Sequence, residues 1–358
     1  MVVTGGGTGG HLFPMRAIAD AWARRRPDVP VYFVGSQRGQ DRLVLADRNE
    51  PVVLLGGRGI RRSLSPRATV SNLGAVVGIV GAVVGSLVRC LRWRPLAVVS
   101  VGGYASFPFS LAAVICRRPL VLVELDAHAG AAQRVLRRFA AVRCTAFAAE
   151  GAVTTGVPVR DELVRLAGHR VRAEVEPAIE PGRQVVTVMT GSLGAASVND
   201  AVVDLARRWS ERRDVVLVHV TGRRDYDRVS AARPTTTGLD YRVIAFADMV
   251  TWWSITDVAV CRAGAATVAE LTLLGIPSVL VPLPGAPGDH QSANAAALAS
   301  CGAATVVADR DCSGERLASE LDRILEPSRH AEMSEAAASL GRADAAEAIA
   351  RVVSEVAS

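Results

Sequence analysis

No lysine occurs in the 358-residue chain, so all 41 basic residues are arginine. Codon usage is a sufficient cause of that bias. It still leaves a formal charge of +6 and a pI near 9.4, a balance that favours anionic partners such as nucleotides, diphosphates or acidic lipid headgroups. Aromatic residues make up only 4% of the chain and are not interleaved with arginine as in single-strand platforms, so no nucleic acid is expected as partner. The six cysteines (Cys90, Cys116, Cys144, Cys261, Cys301, Cys312) show no C-x-x-C spacing, and no secretory signal precedes the first strand; reduced thiols in the cytosol are expected. No apolar run reaches the roughly 18 residues of a spanning helix. The segment that comes near, Leu73 to Gly85 ("LGAVVGIVGAVVG"), has no polar side chain and lies between Arg61, Arg62, Arg67 and Arg89, Arg92, Arg94. Such a helix can be buried against a sheet, can rest an exposed side on an anionic membrane surface, or, less easily, can span.

What is present is an α/β pattern. Half of the residues are hydrophobic, and 32 glycines with 17 prolines punctuate the apolar runs. The length suggests about two domains. "VPVYFVGS", "LAVVSVGG", "LVLVEL", "QVVTVMTGS", "DVVLVHVTG", "DVAVCRAG" and "PSVLVPLP" read as buried parallel strands of doubly wound sheets. The layout restarts at "VVTVMTGSLGAASVN", with a strand, a glycine turn and a helix carrying Asn199. The boundary falls near "TTGVPVRDEL", where Gly156 and Pro158 break the pattern before a polar stretch to Pro181.

"TGGGTGGHLFP", from Thr4, satisfies G-x-G-x-x-G through Gly5, Gly7 and Gly10, but "VYFVGSQ" ends without the acid that would hold a ribose. It is also G-x-x-x-x-G, yet His11 and Leu12 stand where a P-loop has Lys and Ser/Thr. Both templates share bare N–H groups at a helix start, suited to a phosphate or to charge that develops in reaction. His11 sits at that start, where the dipole favours a neutral imidazole able to accept a proton; capping or packing is the plainer role.

In the second half, "CRAGAATVAELTLLGIPSVLVPLP" runs strand, turn, helix, turn, strand. Gly264 and Ala265 put N–H groups at a helix start, and Glu270 is spaced either to accept two vicinal ribose hydroxyls or to lie on the surface. "PGAPGDHQSANAAAL" presents Asp289, His290 and Gln291 for sugar hydroxyls, or Asp289 and Ser292 for helix capping. "DRD" at Asp309 to Asp311 reads as a loop before a cap at Ser313 rather than a metal motif, and no other cluster has metal spacing.

In order and spacing, "GGGTGGHLFP", "SVGGYASFP", "TGVPVR", "GSLGAASVN", "CRAGAATVAEL" and "DHQSANA" resemble the motifs of the MurG family, over nearly the whole chain. Members transfer N-acetylglucosamine from UDP-N-acetylglucosamine to undecaprenyl-linked lipid I, giving lipid II for peptidoglycan. The resemblance implies an α/β GT-B fold, two Rossmann-like doubly wound parallel-sheet domains facing a cleft. Residues 1–157 would form the acceptor and membrane-facing domain, 158–340 the UDP-sugar domain, and 341–358 a helix crossing back to the first. It implies a peripheral protein on the cytoplasmic face of the cell membrane, with no metal or other cofactor. Phe246 would lie by the uracil, Glu270 would hold the ribose, and Ser192 with Gly264 and Ala265 would take the diphosphate. Arg262 would counter the leaving phosphate, and His290 and Gln291 would face the sugar. Thr8, Gly9, Gly10, Tyr104, Glu124, Asp126 and Arg160 would face the acceptor. His11 becomes the candidate general base in an inverting transfer.

The chain departs from the family pattern at "VELD", where Val123 and Leu125 lack polar groups and Asp126 replaces an amide. His128 stands two residues beyond, Leu193 replaces a Gln, and Val157 replaces an Asn. These changes are expected on the cleft. They leave open a second reading, a paralogue that moves a sugar from a UDP donor to another polyprenyl or phosphoglycolipid acceptor.

Overall fold

The computed structural model of the chain describes residues 1–56, 66–168, 173–191 and 194–357, without the side chains of residues 66–76, 168 and 287. Arg61, Arg62, Ser192 and Leu193 therefore lie outside the described residues, as does the side chain of Arg67. The chain divides into two compact units, one of Met1–Arg160 with Asp344–Ser358, the other of Asp161–Ala343.

The first unit alternates β1 (Val2–Thr4), α1 (Gly9–Arg25), β2 (Tyr32–Ser36), α2 (Asp41–Val44), β3 (Val52–Leu55), α3 (Pro66–Trp93), β4 (Val98–Ser100), α4 (Phe107–Ile115), β5 (Leu120–Glu124), α5 (Ala131–Leu136), β6 (Val142–Thr145) and β7 (Val153–Thr154). The second runs α6 (Asp161–Gly168), β8 (Gln184–Met189), α7 (Ala196–Arg208), β9 (Val215–Val220), α8 (Tyr226–Ala231), β10 (Asp240–Ile244), α9 (Met249–Ile255), β11 (Val258–Cys261), α10 (Ala265–Leu273), β12 (Ser278–Leu280), α11 (His290–Ser300), β13 (Ala304–Val306), α12 (Gly314–Leu325) and α13 (Pro327–Leu340). Helix α14 (Ala345–Val356) belongs to the first unit.

Among the described residues the sheet orders are β3-β2-β1-β4-β5-β6-β7 and β10-β9-β8-β11-β12-β13, with every adjacent pair parallel. Parallel sheets are covered on both faces, so their strands read as unbroken apolar runs: all six residues of β9 are buried. Val98, Phe109, Leu120 and Leu122 anchor the first core, and Trp209, Leu217, Tyr241 and Met333 the second. Each such side chain contributes about 1.5–3 kcal/mol by leaving water.

Strand order reverses between β1 and β4 and again between β8 and β11, and ligands of doubly wound sheets collect at the carboxyl ends of strands beside such a reversal. The glycine turns emerge there, after Thr4 and Ser100 in the first unit and after Met189 and Cys261 in the second.

Helix α14 lies on α1 through the small side chains of Ala17, Ala21, Ala346 and Ala350, with Arg24 and Glu347 paired at 2.7 Å beside them. Helix α3 takes in the apolar segment at Leu73 to Gly85. It buries Ala82, Ser86 and Cys90, four residues apart, while Val77, Val80, Val84, Val88 and Leu91 form an exposed stripe on another face. No helix among the described residues is long and apolar enough to cross a membrane.

Candidate active site

In the first unit the chain leaves β1 through Gly5 to Gly7 and enters α1 at Gly9. Thr8 stands at the N-cap, and its carbonyl accepts the N–H groups of His11 and Leu12 at 3.1 and 3.2 Å. Its hydroxyl caps no backbone N–H; it lies 3.0 Å from His11 Nδ1. No acid occupies the first turn either, so the positive end of α1 at Gly9 and Gly10 has neither a side-chain cap nor a first-turn carboxylate. Pro14, inside the helix, also deprives the Gly10 carbonyl of its i+4 donor.

Three further residues come to this helix start. The Tyr104 ring covers Gly7, and its hydroxyl meets Ser36 Oγ at 2.7 Å. Gly103 approaches the His11 ring so closely that a Cβ on it would sit 3.7 Å from the imidazole. The Arg160 guanidinium lies 4.7 Å from the centre of the Phe13 ring, which itself packs beside Gly9. Thr8, Gly9, Gly10, His11, Tyr104 and Arg160 are thus one cluster.

Glu124 and Asp126 are arranged differently from a pair of open acids. Glu124, at the end of β5, is buried, and its two carboxylate oxygens take Arg137 Nε and Nη2 at 2.8 and 2.7 Å. A direct acceptor contact is thereby replaced by a bidentate ion pair. Asp126 is half-buried in the following turn, with His128 exposed. The departures Val123, Leu125 and Val157 are only 1%, 4% and 7% exposed. They were expected on a ligand-facing surface and instead fill the interior, where an apolar side chain costs less than an unpaired polar one.

Sequence reasoning missed Asp41. No acid stands at the tip of β2; the carboxylate sits five residues past Ser36, turned inward to the backbone N–H groups of Gly7 (2.8 Å) and Ser36 (2.7 Å). An acid a few residues beyond the strand was the available signal.

In the second unit, Gly264 is the N-cap of α10, with no side chain capping the helix and open space where its Cβ would be. The N–H groups from Ala265 onward form an anion-attracting terminus. Glu270, on the same helix, is buried rather than on the surface, and its Oε2 accepts a 2.8 Å bond from Trp253 Nε1. Phe246 follows β10 and is exposed, with the Arg223 guanidinium 4.8 Å from its ring centre. Gln291 Oε1 accepts the N–H of Leu283 at 2.9 Å, and His290 opens α11. Asp289 accepts the Ser292 hydroxyl at 2.7 Å and caps no N–H of α11.

Arg262 is turned away from the role expected of it. Its Nη1 binds Asp309 Oδ1 at 2.6 Å and the carbonyls of Val281 and Pro282 at 3.1 Å, and Nη2 reaches Ser197. The guanidinium therefore ties β11 to the end of β12 and to α7, with its charge met by Asp309. That pairing accounts for the first acid of the D-x-D run, and Ser313 caps α12 by accepting Arg316 N–H at 3.1 Å. Among the described residues no three His, Cys, Asp or Glu side chains group as metal ligands. All six cysteines are free, and burial pushes the Cys90 and Cys144 thiols up to about 12, which removes them as nucleophiles.

Comparison with known proteins bears on both units. The glycosyltransferase family 28 N-terminal domain matches residues 1–143, and the family 28 C-terminal domain matches residues 185–349. A protein of Alkalilimnicola ehrlichii is 37% identical over 361 residues, 99% of this chain and 98% of the relative. One of Desulforudis audaxviator is 33% identical over 372 residues, 100% and 98%. Both are named UDP-N-acetylglucosamine–N-acetylmuramyl-(pentapeptide) pyrophosphoryl-undecaprenol N-acetylglucosamine transferase. The crystal structure of MurG from Acinetobacter baumannii superposes with a TM-score of 0.77 at 26% identity, covering 99% of each chain.

Proposed function

The chain belongs to glycosyltransferase family 28, with the two Rossmann-like units of a GT-B enzyme, and we propose that it moves N-acetylglucosamine from UDP-N-acetylglucosamine to the muramoyl sugar of undecaprenyl-linked lipid I. The product is lipid II, the precursor used in peptidoglycan and cell-wall synthesis. The observation that carries this reading is the pairing of two different glycine turns, one per unit. The first holds an imidazole at its helix start, and the second leaves its helix start uncapped.

The first turn suits a nucleophile. In the tautomer whose Nδ1–H donates to Thr8 Oγ1, the lone pair of His11 is on Nε2, and in this scheme that nitrogen takes the proton of a muramoyl hydroxyl as its oxygen attacks the anomeric carbon. The bond from that carbon to the diphosphate oxygen breaks, and UDP leaves with the electron pair. Gly9, Gly10, Thr8, Tyr104 and Arg160 position the acceptor around the base. Glu124 acts through Arg137, which it orients, and Asp126 borders the same end of the sheet.

The second turn suits the donor. N–H groups at Gly264 and Ala265 stabilise the charge that grows on the diphosphate, a contribution that strengthens as the bond breaks. Ser192 is assigned to the same diphosphate, Phe246 to the uracil, Glu270 to the ribose hydroxyls, and His290 with Gln291 to the sugar. The donor carries its own activated leaving group, so the transfer as drawn calls on no resident metal or cofactor.

The shared name of the relatives favours lipid I over another polyprenyl acceptor, and the interior positions of Val123, Leu125 and Val157 remove much of the reason to prefer a paralogue. We assign the exposed valine stripe of α3, beside the exposed Arg92 and Arg94, to contact with an anionic membrane surface on the cytoplasmic side. UDP release in the presence of a short-chain lipid I analogue tests the reading. Wild type should turn over and His11→Ala should lose at least about 100-fold. Full turnover by His11→Ala would remove the base from this scheme.

A further inference from the structure

We propose that Asp41 is the positioning residue of the first glycine turn, and that its carboxylate takes the place a nucleotide phosphate occupies in loops of similar sequence. This rests on the reading of that turn as the acceptor side.

The geometry is specific. Asp41 is fully buried, with Oδ2 accepting Gly7 N–H at 2.8 Å and Oδ1 accepting Ser36 N–H at 2.7 Å. One carboxylate thus joins the turn after β1 to the end of β2. Gly6, at φ +115°, passes so close that a Cβ would lie 2.0 Å from Oδ1. The turn and the acid therefore fix each other's position. From the other side the Tyr104 ring covers Gly7, and the Tyr104 hydroxyl meets the hydroxyl of Ser36. Gly7 is held on both faces, one residue before Thr8 and four before His11.

In a phosphate loop the glycine N–H groups point outward to a bound anion. Here the Gly7 N–H points inward to an anion built into the protein. A phosphate set against the same N–H would lose that donor and meet a like charge at close range. The second unit makes the contrast. Asp225 also stands beneath a glycine turn, where a Cβ on Gly194 would lie 2.6 Å from its Oδ2. Its carboxylate binds side chains instead, Asn199 Nδ2 at 2.9 Å and Arg224 Nε at 2.8 Å. The internal anion occupies a turn N–H in the first unit only, among the described residues, and the donor is left to the second.

The test is Asp41→Asn in the full-length protein, which keeps the shape and turns one acceptor into a donor. Acceptor kcat/KM should fall about 100-fold, the scale of a misplaced reacting group, while the KM for UDP-N-acetylglucosamine and the Kd for UDP measured by calorimetry change less than about twofold. Gly6→Ala, whose methyl group displaces the carboxylate, should give the same acceptor-selective loss. Amide exchange at Gly7, slow in wild type, should rise about tenfold or more in Asp41→Asn. That readout needs no substrate, so it stands even if lipid I is not the acceptor. Unchanged Gly7 exchange, or a donor KM or UDP Kd that worsens as much as acceptor kcat/KM falls, would overturn the proposal.

Discussion

The Thr8 hydroxyl sits 3.0 Å from His11 Nδ1 instead of capping the helix that Thr8 begins. A threonine at an N-cap ordinarily satisfies a backbone N–H, worth about 1 kcal/mol to the helix. Here that contribution is given up, and the hydroxyl instead holds the imidazole ring through Nδ1, which leaves Nε2 turned away from the pair.

Thr8→Val should therefore lower kcat by about 10- to 100-fold, the usual cost of losing an orienting partner, with little effect on the KM for donor. Thr8→Ser should recover most of the activity. Equal activity of the two variants in steady-state assays would show that the hydroxyl does not orient the base.

Trp253 is fully buried, and its indole N–H is committed to Glu270 Oε2 at 2.8 Å. Trp253→Phe keeps an aromatic but smaller side chain and removes the N–H, so the buried carboxylate loses one charge-assisted hydrogen bond at a cost of about 1.5–3 kcal/mol. Donor KM should rise roughly tenfold or more while acceptor KM holds. A donor KM within twofold of wild type would detach Glu270 from ribose binding.

His219 is enclosed in the second unit, with Nδ1 2.9 Å from Tyr241 Oη and Nε2 2.9 Å from Asn199 Oδ1. Burial lowers its pKa from 6.5 to about 3. The unfolded chain then binds one more proton than the folded one between those values, so stability is fully present above about pH 6.5 and is lost as pH falls toward 3. At pH 4.5 the loss from this group should be roughly 2–3 kcal/mol. Chemical denaturation at pH 7 and 4.5 measures it. His219→Gln, which can keep neutral hydrogen bonds, should flatten the difference, and an unchanged pH dependence in that variant would place the effect elsewhere.

The exposed stripe of α3 gives a fourth test. Val84→Asp with Val88→Asp should abolish flotation with anionic vesicles and leave turnover of a water-soluble acceptor analogue near wild type, since both side chains are exposed. Vesicle binding that survives the double substitution would move the contact off this helix.

Much of the fold was legible because its signals are local. Runs such as "DVVLVHVTG" and "DVAVCRAG" are buried on both faces, so hydrophobicity alone marks them, and they became β9 and β11. The uncapped start of α10 could be read from Gly264 for the same reason. What could not be read was the direction of charged side chains. Arg262 has its acid 47 positions away at Asp309, and Glu124 has its arginine 13 away at Arg137, so neither pairing shows in a short window. Asp41 is not legible as a turn-binding acid because the dinucleotide pattern places its acid at the strand tip. This one lies past the turn and faces in. Strand β6, next to the edge of its sheet, and the edge strand β10 carry Arg143, Asp240 and Arg242 and are polar enough to blur the strand pattern.

The central claim is tested most directly by the product. Purified protein with UDP-N-acetylglucosamine and a short-chain lipid I analogue, followed by mass spectrometry and NMR of the anomeric proton, should yield one product heavier by a single N-acetylhexosamine, β-linked, with one UDP released per transfer. Absence of that product, together with transfer from the same donor to a different lipid-linked phosphate, would contradict it.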